Sequence, residues 1–204
     1  VPNGEKVRAR LMNKYEKYGN DIDEVDALGS ELLRLFCKEV EKYDNPRGGK
    51  FTPGSYTVSA HVPLGAVVGA TADGRLSGEQ LADGGLSPML GKDQLGPTAV
   101  LKSVSKLDNY LLSNGSLLNV KFTPATLEGD QGLSKLSDFI RAFMKLKLQH
   151  IQFNVLNAET LKKAQEKPED YSGLVVRVAG YSAFFVELSK EIQDDIIRRT
   201  AHEL

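Results

Sequence analysis

Between Glu5 and Tyr18 apolar residues return at steps of three and four (Val7, Leu11, Tyr15, Tyr18), which predicts a first helix broken by Gly19 and Asn20. A second helix is predicted from Asp23 to Tyr43. Val25, Leu28, Leu32, Leu35, Phe36 and Val40 form its stripe for burial, and acidic residues crowd its positive dipole end. The run Asp44-Asn45-Pro46-Arg47-Gly48-Gly49 ends it and reads as a linker. Beyond it the texture changes. Aromatic and β-branched residues predict a strand over Tyr56–Val62, and glycines from Gly65 to Gly96 with Pro63, Pro88 and Pro97 predict loops. Leu64, Val67, Val68, Leu86, Met89 and Leu90 among those glycines predict that some of the loops are ordered, and functional or packed against function.

The rest of the chain alternates. A helix is predicted over Pro97–Leu107 with proline in its first turn, then a strand over Leu117–Phe122. An amphipathic helix follows over Leu133–Leu148, presenting Leu136, Ile140, Phe143 and Met144. His150–Leu156 predicts a strand, Ala158–Glu166 a helix stopped before Pro168, and Leu174–Val178 a short apolar strand. Ser189 is placed to cap a last helix running to about Thr200. This alternation predicts an α/β or α+β domain. No internal repeat or low-complexity segment is evident.

Composition narrows the function classes. The 204 residues, 41% of them hydrophobic, are enough for a core and exclude wholesale disorder. With 26 Lys+Arg against 27 Asp+Glu, the net charge of −1 supplies no bulk footprint for nucleic acid or an anionic membrane. A single cysteine excludes an internal disulfide framework and fits a reducing compartment. No apolar stretch reaches the ~18 residues of a membrane span. The first residues hold neither a hydrophobic signal core nor an initiating Met, so a soluble, cytoplasmic protein is expected, and a fragment or processed chain.

The sequence holds no P-loop, GxGxxG after a strand, HExxH or GxSxG. His61, His150 and His202 are far apart, so no local metal cluster is expected. His61 and His150 are expected to close strand ends, and His202 to lie solvated in the last turn of the final helix. Cys37, beside Phe36 and Val40, is expected as a buried helical thiol; its Cys-x-Glu spacing does not bring the side chains face to face. Within Arg177-Val178-Ala179-Gly180-Tyr181-Ser182-Ala183, composition alone says that Gly180 supplies a positive-φ turn.

That run resembles the C-terminal motif of the glycyl radical enzymes. Ala70-Thr71-Ala72-Asp73-Gly74-Arg75 is similar to their Thr-Pro-Asp-Gly-Arg loop, with Ala72 in place of proline. Leu81-Ala82-Asp83-Gly84-Gly85-Leu86-Ser87-Pro88-Met89 also fits, as do Gly96-Pro97-Thr98-Ala99, Ser103–Leu107 and His150-Ile151-Gln152-Phe153-Asn154-Val155. Pro168-Glu169-Asp170-Tyr171 and Gln193–Ile197 with Arg199-Thr200 complete the resemblance, in order, over residues 54–200. Ala179 and Ser182-Ala183-Phe184-Phe185 resemble the dehydratase, lyase and decarboxylase branch rather than pyruvate formate-lyase itself.

The resemblance implies an α/β fold, the C-terminal part of a ten-stranded α/β barrel carrying the glycyl radical loop. It implies a helical segment at 1–50, barrel strands and Gly-rich loops at 51–120, and a glycyl radical domain at 121–204. Gly180 would be the radical carrier, with Arg177, Val178, Ala179, Tyr181 and Ser182 supporting its loop. No cofactor would be bound; a radical S-adenosylmethionine iron–sulfur activase would install the radical. The family's radical-accepting cysteine lies in a Cys-x-Glu loop without counterpart here, and Cys37 is not promoted to that role. The expected partners are the activase, the rest of the barrel, a second copy in a homodimer and a small-molecule substrate, without nucleic acid or membrane. An autonomous glycyl radical cofactor module, a formate acetyltransferase-type lyase and a remnant without radical chemistry remain alternatives.

Overall fold

In the computed structural model, which describes residues 3–199, 201–202 and 204, the first helix, α1 (Gly4–Lys14), stops short of its predicted end. Tyr15 turns extended, and the chain drops inward until Tyr18 packs on the main core and its hydroxyl donates to the Leu86 carbonyl at 3.0 Å. Helix α2 (Asp23–Val40) lies where the periodicity places it, but most of the expected stripe is not buried. Leu28, Leu32, Leu35 and Phe36 are exposed, Leu32 at 59%, while Asp26, Ser30 and Cys37 face inward and Leu33 joins the core. Asp26 tolerates burial because Lys106 Nζ lies 2.9 Å from its carboxylate. The linker after α2 is closed by a bridge between Asp44 and Lys50.

No strand forms over residues 56–62. Residues 58–60 turn into a short helix, α3 (His61–Val67), so His61 opens a helix instead of ending a strand. Gly65 lets α3 press on the following loop, since a Cβ there would overlap the Glu79 carbonyl. Residues 68–96 hold neither helix nor strand; of the apolar residues expected to pack in this region Leu86 is buried, while Leu64 and Val67 are exposed. Buried Arg75 gathers the carbonyls of Val68, Gly69, Leu76 and Glu79, with Glu79 O at 2.6 Å.

Most elements expected after Pro97 form, though the helix expected from Leu133 runs from Gly129 to Lys145 with Ile140 and Met144 of its expected face exposed. The strands at Ser182–Phe184 and Ala201–His202 were not expected. Helix α4 (Pro97–Ser105) is followed by β1 (Asn119–Phe122), α5 (Gly129–Lys145), β2 (Gln152–Val155) and α6 (Ala158–Glu166). Strands β3 (Val175–Arg177) and β4 (Ser182–Phe184) precede α7 (Lys190–Arg198) and β5 (Ala201–His202). Helix α7 ends at Arg198, and the expected end at Thr200 lies outside the described residues. Strands β2, β1 and β5 form a parallel sheet in that order, and β3 and β4 an antiparallel hairpin, a mixed α/β arrangement. His202 is buried in β5 with Nε2 2.9 Å from Asp93 Oδ2; it is neither helical nor solvated.

Two cores result. The larger joins Leu33 and Cys37 of α2 to α4, β1 and α5, around Phe122, Phe139 and Phe153 with ring centroids 5.7–6.2 Å apart. The second packs Leu161 and Ala164 of α6, Val176 and Val178, Phe185 and Ile196 of α7. Among the described residues no helix is long and apolar enough to cross a membrane, and no group of three or more His, Cys, Asp or Glu could hold a metal.

Candidate active site at the Gly180 hairpin

Pairing of Arg177 with Ser182 leaves Val178, Ala179, Gly180 and Tyr181 as the hairpin's connection, closed by Val178 N donating to Tyr181 O at 2.9 Å. Gly180 stands in it at φ +84°, a region that residues with a Cβ rarely adopt. A Cβ on Gly180 would lie 3.2 Å from Leu117 Cδ1. Val178 and Ala179 are buried, Tyr181 is half-buried against the second core, and Gly180 is exposed. Arg177 Nη1 donates to Ser182 Oγ at 3.0 Å across the two strands. All six residues singled out in the sequence thus meet at one turn and its flanks.

The hairpin is held from below by side chains of β2. Strand periodicity sends Phe153 into the first core and turns Gln152 and Asn154 the other way. Asn154 brackets the Arg177 backbone, accepting from its N–H at 2.9 Å and donating to its carbonyl at 2.6 Å, as a neighbouring strand would. Gln152 Oε1 accepts the Gly180 N–H at 2.9 Å. Behind it, Gln152 Nε2 donates to Asn119 Oδ1, and Asn119 Nδ2 donates to the Asp83 carbonyl at 3.0 Å and to Asp83 Oδ2 at 3.1 Å.

A second line of polar groups reaches the turn from α7. Buried Arg199 donates from Nη1 to the Val178 carbonyl at 2.7 Å, and its Nε and Nη2 reach Asp195 Oδ2 at 3.1 and 2.8 Å. Its Nε also lies 2.9 Å from Asp83 Oδ2. Asp195 is met from α3 by His61 Nε2 at 3.0 Å. Lys121 Nζ donates to the carbonyl of Ile197 in α7 at 3.0 Å and to that of Arg199 just past its end at 3.1 Å. Burial lowers the Lys121 ammonium's pKa, and the Arg199 charge adds to this. Burial raises the Asp83 carboxyl despite Arg199. Burial would raise Asp195 too, but His61 and Arg199 outweigh it and hold that carboxyl below its ordinary range.

His150 lies just before β2, its Nδ1 accepting from Leu118 N at 3.4 Å. Cys37 is buried in the first core, where burial pushes its thiol up. No functional role is legible in the sequence for Gln152, Asn154, Asn119, Asp83, Asp195 or Arg199, and His61 was expected only to close a strand end. One signal was available for two of them: Gln152 and Asn154 alternate with Ile151, Phe153 and Val155, which predicts two amides on one strand face.

The family profile described as Glycine radical matches residues 82–186, and the one described as Pyruvate formate lyase-like matches residues 3–65. The chain belongs to the glycyl radical enzyme family. It is 48% identical to the isethionate sulfite-lyase of Bilophila wadsworthia over 95% of its length, which is 24% of that protein. Its fold superposes with TM-score 0.96 and 53% identity on the glycerol-bound B12-independent glycerol dehydratase of Clostridium butyricum, covering all of this chain and 26% of that one. A structure of Roseburia inulinivorans described for 1,2-propanediol dehydration matches at TM-score 0.93 and 49% identity, covering 97% of this chain and 25% of that one. The chain thus spans about a quarter of the length of the relatives it matches. It carries the glycyl radical domain of the dehydratase and lyase type.

Proposed function

We propose that Gly180 carries the radical and that this chain works as the C-terminal part of a longer dehydratase or lyase with a ten-stranded barrel. The observation that carries the proposal is Gly180 itself, at positive φ on a turn, its N–H held by Gln152 and the place of a Cβ crowded by a Leu117 methyl. Homolysis of one Gly180 Cα–H bond would send the hydrogen atom to a carbon radical made by an S-adenosylmethionine activase. The electron left on Cα spreads into the amide nitrogen on one side and the carbonyl on the other, which needs a near-planar Cα free of a side chain. Arg177, Val178, Ala179, Tyr181 and Ser182 hold the turn, within a radical domain taken as 121–204 behind 51–120 and a helical 1–50.

Radical transfer would then reach a cysteine supplied outside this chain. Cys37, the single cysteine, is buried in the first core among apolar side chains, where it packs rather than faces a substrate. The open apolar stripe of α2 and the exposed Gly180 support a large missing partner surface, the remaining barrel. Names of the relatives point to small polar substrates, an alkyl sulfonate in one and polyols in others, so elimination of a polar group from such a molecule is the proposed reaction, in the cytoplasm. The match of residues 3–65 to the lyase-like profile weighs against an autonomous cofactor module.

Anaerobic activation with a matching activase and S-adenosylmethionine should give a glycine-type EPR doublet that collapses on deuteration of glycine. Brief oxygen exposure should then cut the backbone at Gly180. A doublet that persists in Gly180→Ala would overturn the assignment.

A further inference from the structure

We propose that Gln152 is a positioning residue for the radical, fixing the Ala179–Gly180 peptide through an amide whose direction is set by Asn119 and Asp83. The inference rests on the reading of Gly180 as the radical carrier. Delocalisation onto nitrogen requires the Cα plane to coincide with the preceding peptide plane, so whatever holds that peptide bears on the radical. Gln152 Oε1 lies 2.9 Å from Gly180 N, and Gln152 itself is buried, which holds the acceptor in place beneath the exposed turn. An acceptor on the N–H also leaves the nitrogen a better electron donor toward the half-filled orbital.

The direction of that hydrogen bond is not free. A side-chain amide can be placed either way round, and only its partners decide which end faces where. Asp83 offers Asn119 Nδ2 a backbone carbonyl at 3.0 Å and a carboxylate oxygen at 3.1 Å. The carbonyl can only accept, so the Asn119 amide nitrogen faces Asp83 and its oxygen faces Gln152. Gln152 must then present Nε2 to Asn119, which leaves Oε1 for Gly180. A flipped Gln152 would set N–H against N–H at Gly180 and oxygen against oxygen at Asn119. Arg177 Nη2 reinforces the observed sense, donating to the same Oε1 at 3.4 Å. The turn glycine is therefore wired to Asp83 through two amides of fixed polarity.

The test uses the full-length polypeptide bearing this chain, labelled with nitrogen-15 glycine and activated anaerobically. Gln152→Met keeps the length and loses the amide acceptor; Gln152→Glu keeps an acceptor within reach of Gly180 N and Arg177. The expected result is a changed nitrogen hyperfine coupling in Gln152→Met and a radical half-life shortened about 3-fold to 10-fold, the size of one net hydrogen bond. Gln152→Glu keeps that acceptor but sets oxygen against Asn119 Oδ1, so its coupling should lie closer to the unsubstituted protein's than that of Gln152→Met does. A Gln152→Met protein with unchanged coupling and half-life overturns the role, even where the doublet itself confirms the radical. Should that variant fail to fold, deuteron ENDOR of the unsubstituted protein in heavy water decides: the Gly180 N–D should show the reduced quadrupole coupling of a hydrogen-bonded amide, and a free-amide value overturns the proposal. Absence of any glycine doublet in the unsubstituted protein strikes the radical assignment first, and this role with it.

Discussion

Arg199 donates to the carbonyl of Val178 at 2.7 Å, two residues before Gly180, and so ties the end of α7 to the turn. The same guanidinium neutralises Asp195 and Asp83, both nearly buried, so its fork serves three acceptors. Replacing Arg199 with Ala would leave two buried carboxylates and one carbonyl short of a donor. The expected loss is about 3–5 kcal/mol of unfolding free energy. Arg199→Lys keeps the charge but not the fork, so it should recover only part of the loss. Urea unfolding of the two variants checks this. Equal stability of Arg199→Lys and the parent would show that the fork geometry is unimportant.

The two carboxylates around Arg199 should make stability depend on pH in opposite senses. Asp195 is held low, so its contribution is present above the unfolded pKa of about 3.9 and is lost as pH falls through the lower folded value. Asp83 is pushed up by burial, so its contribution is present below about pH 3.9 and is lost as pH rises through its folded value. Asp195→Asn should therefore lag the parent most above about pH 4, and the gap should narrow on acidification. Asp83→Asn should improve relative to the parent as pH rises from about 4. Unfolding midpoints measured across this range report both trends, and pH-independent gaps would contradict the arrangement.

Most helices and strands after Pro97 were legible because they carry their own period and stop, which the short strands Ser182–Phe184 and Ala201–His202 do not. Helix α6 runs from Ala158 to Glu166 as read, with Asn157 Oδ1 accepting from Glu159 N and Pro168 beyond its end. What failed is what depends on distant partners. Hydrophobic spacing located the stripe of α2 but could not say which side this chain covers, and Asp26 faces inward only because Lys106, 80 residues on, meets it. His61 and His202 were misplaced for the same reason, since Asp195 and Asp93 lie far from them in sequence. Gly180 stands out through its motif. Gln152 and Arg199 could not be given roles, because a hydrogen bond to a backbone atom leaves no mark on the sequence of the residue receiving it.

Cys37 should be inert in the folded protein. Its side chain is buried in the first core, and burial raises its thiol, so little thiolate is present at neutral pH. Maleimide labelling should proceed only in step with unfolding, with a rate that rises across the urea transition. Fast labelling of the native protein would mean that α2 opens away from α4 on its own.

Gly180→Ala separates the turn from its chemistry. At φ +84° an alanine is expected to cost about 1–2 kcal/mol, and its methyl must press on Leu117. That is small enough to leave the hairpin and the second core folded, with Asn154 still bracketing Arg177. Amide exchange at Arg177 N should stay protected in this variant. Loss of that protection would show that the glycine is needed for the turn itself, and EPR silence would then carry no information on the radical.

The outer face of α2 offers the sharpest contrast between this chain and a longer polypeptide. Leu32 and Leu35 are exposed at 59% and 57%, while Leu33 between them packs on the core. In the chain alone, Leu32→Asp should change stability by no more than about 0.5 kcal/mol, as surface substitutions do. Where the remaining barrel covers the stripe, the same change removes a buried leucine and inserts a carboxylate, and the expected loss exceeds about 2 kcal/mol. Leu33→Asp serves as the control, destabilising in both settings. A Leu32→Asp effect of the same small size in both would mean that the stripe stays open to solvent in the larger protein, and the proposed contact with the barrel would have to be moved elsewhere.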